Sequence, residues 1–514
     1  MADVEQRCRE EYGIPAAALM EQAGLRTAEV ARLLLPRAVR RVVVLAGKGN
    51  NGGDGLVAAR HLAGEAVVRV LLLAPPAEFG GEPARHLKAL LDRRVRVDEA
   101  GALAAPDLAE ALRDADLIVD AIFGTGFRGP ARGLAARAIE AANGSGTPIL
   151  AVDLPSGTDA LSGRADPPCI HAAATVAMAL PKVGTVQYPA AAHLGRLYVA
   201  DIGVPPSLVR DAPIPTEMAT AHWVDRALPR RPADSHKGRF GHVAILAGAR
   251  GYAGAPVLAA RGAIRAGAGL VTVGLPASLA TVPAGSLPEA MTRPLPENAA
   301  GTLGEDAYDA AVDLIAASDA AAVGPGLTTH PDVVGLVRRV LPRVERPVVL
   351  DADGLNAVAG DARRLRDVPG PLVITPHPGE MARLLGREIQ EVQDDRLGTA
   401  REAARLVGGV AVLKGARTVV AAPEGRACII PSGNAAMATG GTGDVLTGVV
   451  AALLGMGLPP FDAAVCGAYL HGLAGDLAAR GELGLLAHEV ADEIPRALAR
   501  VRAGGGDDAY TAVP

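Results

Sequence analysis

Aromatic side chains are scarce in this chain of 514 residues: Phe, Trp and Tyr together make up 3%, with a single Trp. Proteins that grip single-stranded nucleic acid stack its bases on aromatic rings, so that class is excluded. A basic excess is lacking too. The 51 Lys and Arg are outweighed by 56 Asp and Glu, for a net charge of −5, which argues against a general polyanion binder. Cysteine is rare: Cys8, Cys169, Cys428 and Cys466 stand far apart, with no C-x-x-C pair and no Cys/His cluster of zinc spacing. Scattered thiols suit a reducing cytoplasm. No apolar run reaches the roughly 18 residues that span a bilayer, and the polar start MADVEQRCREEYG is not a signal peptide. The expectation is a cytoplasmic protein, a homo-oligomer, with no nucleic-acid or membrane partner.

Lysine is the last scarcity. Lys48, Lys88, Lys182, Lys237 and Lys414 are the only ones, which leaves 46 Arg among the 51 basic residues. Where Arg is the default cation, each Lys draws notice, because a site built for a compact ammonium cannot take a planar guanidinium.

Apolar residues are plentiful at 49%, alongside 62 Gly and 39 Pro. That suits sizeable cores and many tight turns, and the length suits two or three domains at about 150 residues each. Short apolar runs at 42–45, 67–73, 117–122 and 149–152 alternate with helix-like segments at 56–62, 84–91 and 134–142. Two more strand-like runs follow, at 174–180 and 197–200. Alternation of this kind predicts a parallel sheet covered on both faces. A proline-dense stretch, 204–234, then breaks the pattern and sets a domain boundary near 213. Strand-like runs restart at 243–246, 270–273, 320–323, 348–350, 372–374, 410–413 and 419–421, and helix dominates from Asp444 onward. The fold class is α/β, with domains at 1–213 and 214–514.

The densest motif is Gly47-Lys48-Gly49-Asn50-Asn51-Gly52-Gly53-Asp54-Gly55, between the run ending at 46 and a helix. A glycine-rich strand-to-helix turn lets backbone N–H groups meet a phosphate at the positive helix end. It is neither G-x-G-x-x-G nor a Walker loop, and a plain structural turn is the alternative. Two further polar turns, Asp120 to Pro130 and Asp153-Leu154-Pro155-Ser156-Gly157, also follow strands, where open α/β sheets bind ligands. Asn51, Asp120 and Ser156 offer oxygens suited to a hard cation. In the second half, Thr439-Gly440-Gly441-Thr442-Gly443-Asp444 precedes an apolar helix. There Asp444 can act as a base toward a hydroxyl attacking a phosphoryl group, or merely cap the helix. The glycines, including Gly448 downstream, favour function. Lys414 to Thr418, Thr375-Pro376-His377-Pro378-Gly379-Glu380 and Gly324-Pro325-Gly326 again follow strands.

The N-N-G-G-D, V-D-A-I-F-G-T-G and D-L-P-S-G turns, with the opening I-P-x-x-x-L-M-E-x-A-G stretch (14–24), resemble the NAD(P)H-hydrate epimerase family over about residues 10–205. The resemblance implies a Rossmann-like αβα sandwich that interconverts the R and S forms of hydrated NADH or NADPH. It implies that Asn50, Asn51, Gly52, Gly53, Asp54, Gly124, Thr125, Gly126, Phe127, Arg128, Gly129, Pro130 and Asp153 hold the hydrated nucleotide. It further implies K+ on Asn51, Asp120 and Ser156, with Asp153 as the acid–base group. Lys182, in L-P-K-V-G, is a lesser candidate, with a surface lysine as the alternative.

The G-T-G-D turn resembles the ribokinase-like superfamily. Together with S-H-K-G-R-F-G (235–241), G-Y-A-G-A (251–255), T-P-H-P-G-E and N-A-A-M-A-T-G-G-T-G-D, it resembles the ADP-dependent NAD(P)H-hydrate dehydratase family over about residues 225–500. That implies substrate contacts from Ala255, Gly326, His377 and Asp444. It implies adenine-nucleotide contacts from Lys414, Gly415, Ala416, Arg417, Thr418 and Gly443. ADP would be consumed to AMP and phosphate, with Mg2+ offsetting the phosphate charge. Hydroxide is a poor leaving group, and phosphorylating it makes a good one, so a kinase-like fold can carry out a net dehydration. The expectation is a bifunctional nucleotide-repair enzyme whose partners are hydrated NADH or NADPH and an adenine nucleotide. The alternative is a ribokinase-like kinase for a vitamin precursor or sugar, fused to a Rossmann-like binding module. T-P-H-P-G-E and S-H-K-G speak against it.

Overall fold

A computed structural model describes residues 2–35, 40–504 and 511–513. The chain forms two compact units, Met1–Ile214 with Asp508–Pro514, and Pro215–Asp507.

In the first unit, β1 (Arg41–Ala46), β2 (Val67–Leu72), β3 (Arg96–Glu99), β4 (Leu117–Ala121), β5 (Ile149–Val152), β6 (Ala174–Met178) and β7 (Arg196–Ala200) form one parallel sheet. The order is β7-β6-β5-β4-β1-β2-β3. The central strands are apolar and rich in β-branched residues and, apart from Arg41 at the start of β1 and the buried Asp120 of β4, form buried apolar runs, as a sheet with helices on both faces requires. The chain runs outward from β1 to β3 and then returns to pair β4 beside β1. Neighbouring connections part at that reversal and leave a crevice at the carboxyl ends of the strands.

The second unit repeats the device. Its strands are β8 (Thr216–Met218), β9 (His242–Leu246), β10 (Leu270–Pro276), β11 (Met291–Leu295), β12 (Ala320–Val323), β13 (Val348–Leu350), β14 (Leu372–Ile374), β15 (Val410–Leu413), β16 (Val419–Ala421) and β17 (Ala427–Ile429). The order is β11-β10-β9-β12-β13-β14-β15-β16-β17-β8. Strands β11 through β15 are parallel, β16 is antiparallel to both neighbours, and β8 lies parallel to β17. The reversal falls between β9 and β12. The C-terminal strand β18 (Thr511–Val513) pairs in parallel with β7 of the first sheet. The tail therefore departs from a simple division at 213, covering an edge whose N–H and C=O groups want partners.

Two local details correct the sequence reading. The helix after β1 spans Asn50–Leu62, not 56–62, so N-N-G-G-D forms its first turn. The helix carrying Asp444 spans Thr442–Gly455 and packs on the helix Gly254–Ala266. A Cβ on Gly448 would lie 1.8 Å from the Ala259 carbonyl oxygen. Gly448 thus serves this close helix contact rather than the site.

Candidate active sites

In the first unit the turns after β1, β4 and β5 meet around a cavity of about 1000 Å³. A Cβ on Gly52 would lie 1.7 Å from the Gly47 carbonyl oxygen, and one on Gly47 would lie 2.0 Å from that of Ile122. Backbone passes too close here for any side chain. The opening I-P-x-x-x-L-M-E-x-A-G stretch seats this turn from behind. In the helix Ala16–Leu34, Gly24 abuts Val57 and Met20 abuts Gly53. Asn50, Asn51, Asp54, Gly124, Thr125, Gly126, Phe127, Asp153 and Lys182 all reach the cavity wall, as do Glu5 and Arg9 of the helix Ala2–Tyr12. Phe123 and Phe127 stack there, with centroids 4.2 Å apart. Gly129 and Pro130 instead line a separate space of about 320 Å³. Arg128 turns to the Thr125 carbonyl (2.9 Å) and to Asp159 (3.4 Å).

Asp120 is fully buried at the end of β4. Its Oδ1 accepts from Ser156 Oγ (2.6 Å) and its Oδ2 from the Ser156 N–H (2.8 Å), while Ser156 Oγ accepts from the Phe123 N–H (2.9 Å). Asn51 Nδ2 donates to the Phe123 carbonyl (2.8 Å). The three residues expected to share a cation therefore stand around one turn. Burial pushes the Asp120 carboxyl up to about 6 despite these hydrogen bonds.

Asp153 follows β5 with φ +68°, a conformation non-glycine residues seldom adopt and one that marks imposed geometry. Its Oδ1 accepts from the Met178 N–H (3.1 Å) and from Lys182 Nζ, which also donates to the Met178 carbonyl (2.9 Å). Lys182 is 8% exposed, so it is a buried partner of Asp153 and not a surface lysine. Asp54 faces the same cavity, and burial first, then the Asp153 and Glu5 carboxylates, push its carboxyl well above the usual range.

In the second unit the turns after β9, β12, β13, β14 and β15 gather with the start of the helix Thr442–Gly455. Gly326 sits against Ala255 and Tyr252, joining two of the expected substrate contacts. The Lys414 ammonium lies beside Gly443, where an added Cβ would come within 3.2 Å of Nζ. Lys414 donates to Asp351 Oδ1 (2.6 Å) and stands 3.7 Å from Glu380. Asp444, at the third position of its helix, is pushed up to about 7, chiefly by burial and next by Asp351, with Lys414 pulling the other way. His377 Nδ1 accepts from the Gly379 N–H (3.0 Å), and Glu380 Oε2 accepts from the His377 N–H (2.8 Å), a reciprocal helix cap. An accepting Nδ1 carries no proton, and burial lowers the imidazole pKa.

Sequence reasoning missed Asp351, Thr447 and Arg396. Asp351 directly follows a buried strand just as Asp153 does, and that position was a usable signal. Thr447 Oγ1 donates to Asp351 Oδ2 (2.7 Å). Arg396, 8% exposed, donates to the Leu413 and Lys414 carbonyls (3.1 Å each) and so fixes the Lys414 turn. Conversely, S-H-K-G-R-F-G lies at the amino end of β9, opposite the cleft. Among the described residues, no group of three or more His, Cys, Asp or Glu side chains could hold a metal ion. Among them, too, no helix is long and apolar enough to cross a membrane.

The sequence pattern of the NAD(P)H-hydrate dehydratase family matches residues 243–496, and that of the YjeF-related protein N-terminus matches residues 16–184. The bifunctional NAD(P)H-hydrate repair enzyme Nnr of Moorella thermoacetica is 47% identical over 506 residues, covering 97% of this chain and 95% of that protein. The enzyme of the same name from Escherichia coli is 38% identical over 502 residues, covering 96% and 91%. A crystal structure of the ADP/ATP-dependent NAD(P)H-hydrate dehydratase from Bacillus subtilis, co-crystallised with ATP/Mg2+, is 36% identical with a TM-score of 0.50. It covers 55% of this chain and 98% of its own. The two clefts thus sit within a chain aligned nearly end to end with such proteins, and the chain belongs to the family of bifunctional NAD(P)H-hydrate repair enzymes.

Proposed function

We propose that the first unit interconverts the R and S hydrates of NADH and NADPH, and that the second dehydrates the S hydrate while converting ADP to AMP and phosphate. The division between them falls near residue 213. The observation that carries the reading is the pair of strand-end clefts, one holding Asp153 and the other Asp444, in a chain alignable over 97% of its length with repair enzymes. In the first cleft the stacked Phe123 and Phe127 offer a flat apolar face to a ring. Asp153 moves a proton to and from the ring hydroxyl as the ring nitrogen expels it and water returns on the other face. In the second cleft Asp444 takes the proton of the hydroxyl as its oxygen attacks the β-phosphorus of ADP, and the bond to AMP breaks. The ring nitrogen then expels phosphate, and loss of a proton from the adjacent carbon restores the double bond. Mg2+ would travel with the nucleotide, held by phosphate oxygens and water.

The oxygen set of Asn51, Asp120 and Ser156 fits K+. Among the described residues no cation offsets the burial of Asp120, and a monovalent cation would supply that charge. Replacing K+ by a bulky organic cation should slow epimerisation several-fold and leave dehydration of purified S hydrate unchanged. Equal rates in both salts would remove the cation from the account. The Lys414 turn should hold the nucleotide, so Lys414→Ala should raise the KM for ADP more than that for the hydrate, and the reverse ordering would misplace the ligands. Product analysis tests the whole: AMP, phosphate and reduced nicotinamide are expected, whereas a stable phosphorylated hydrate would mark a kinase.

A further inference from the structure

Asp351 is 1% exposed and touches three separate segments of the second unit. Its Oδ1 accepts from Lys414 Nζ after β15 (2.6 Å), and its Oδ2 accepts from Thr447 Oγ1, one turn beyond Asp444 on the same helix (2.7 Å). Its backbone is fixed as firmly. The Asp351 N–H donates to the Val323 carbonyl (3.1 Å), and the Asp351 carbonyl accepts from the Gly354 N–H (2.9 Å). A Cβ on Gly324 would lie 1.8 Å from that same carbonyl oxygen. The next residue, Ala352, is held at φ +48°, ψ −117°, far from the conformations open to alanine. Strain of this kind persists where surroundings over-determine a functional geometry.

Resting on the dehydratase reading of this cleft, we propose that Asp351 is a positioning residue for phosphoryl transfer. It clamps the Lys414 ammonium beside Gly443 and Asp444 and ties that clamp to the Asp444 helix through Thr447. The charged groups facing Asp444 are Asp351, Asp353, Glu380 and Lys414. Lys414 in turn faces Asp351, Glu380 and Asp444, with His377 and His471 close by. Asp351 is the group that satisfies Lys414 directly while repelling the ionised form of Asp444. It therefore fixes where the cation sits, and its charge adds to burial in holding the Asp444 carboxyl up.

The test compares wild type, Asp351→Asn and Thr447→Val in the full chain, with S hydrate and ADP over a pH series and with ADP titrated calorimetrically. Asp351→Asn keeps the shape and removes the charge. Its KM for ADP and its calorimetric dissociation constant should rise about tenfold, the scale of one charge-assisted hydrogen bond. The acidic limb of kcat should move to lower pH, because a repelling charge beside Asp444 is gone. Thr447→Val loosens the clamp but keeps the charge, so ADP affinity should weaken while the limb stays in place. Should Asp351→Asn fail to fold, the Thr447→Val pattern decides alone. Wild-type ADP affinity in both variants with an unmoved pH limb would overturn the proposal while leaving the dehydratase reading intact. Absence of turnover in wild type would overturn that reading and this one with it.

Discussion

Asp444→Asn is expected to leave the fold intact and to slow dehydration of the S hydrate by about 10²- to 10⁴-fold, the usual scale for a general acid–base group. Asn has the same shape and can still occupy the third position of the helix Thr442–Gly455, so the glycine turn ahead of it should keep its form. What it cannot do is take a proton from the attacking hydroxyl. The position of the carboxyl's pKa would suit that task. Burial and Asp351 raise it to about 7, with Lys414 opposing, and a base poised near the working pH transfers protons most effectively. The sign follows. A raised carboxyl pKa means the base form is lost as pH falls through about 7. Dehydration should therefore decline on the acid side from near neutrality, not from the pH 4 region of an ordinary carboxylate. A well-folded Asn variant with near-normal turnover would reduce Asp444 to a helix cap.

Asp153→Asn should depress R/S equilibration by a similar factor, about 10²–10⁴, and leave dehydration of S hydrate untouched. The choice of Asn matters. Residue 153 sits at φ +68°, and Asn enters the left-handed region more readily than other non-glycine residues. Asp153→Ala would confound lost chemistry with backbone strain. The variant strips Lys182 of its ion-pair partner inside the fold. A buried ammonium left unpaired is costly, so the melting temperature should fall as well. The reading is checked by following the two epimers separately without ADP. Epimerisation at the wild-type rate in the folded variant would move the acid–base work to another cavity group.

Much of this was legible in the sequence because parallel strands buried on both faces are continuous apolar runs. The runs at 42–45, 149–152 and 243–246 lie in β1, β5 and β9. Of the strands that escaped notice, R-V-D-E of β3 and M-T-R-P-L of β11 are partly exposed edge segments, while T-E-M of β8, A-C-I of β17 and T-A-V of β18 are only three residues long. Glycine turns flagged both clefts, since backbone crowding leaves a compositional trace. Ion pairs across the fold leave none. Lys182 and Asp153 are 29 residues apart and Lys414 and Asp351 are 63 apart, so only folding shows that two of the five lysines serve the two carboxylates. Gly448 misled because a helix-contact glycine and a site glycine look alike in one dimension.

The most direct measurement incubates the intact protein with a mixture of R and S NADH hydrates and ADP, while the absorbance of reduced nicotinamide is recorded beside AMP and phosphate. Complete conversion of both epimers is predicted, with one AMP and one phosphate per NADH restored. Asp153→Asn should instead halt at a plateau set by the S fraction and then creep at the spontaneous rate. A wild-type trace that stops at that same plateau, or a phosphorylated hydrate that accumulates without NADH, would contradict the account.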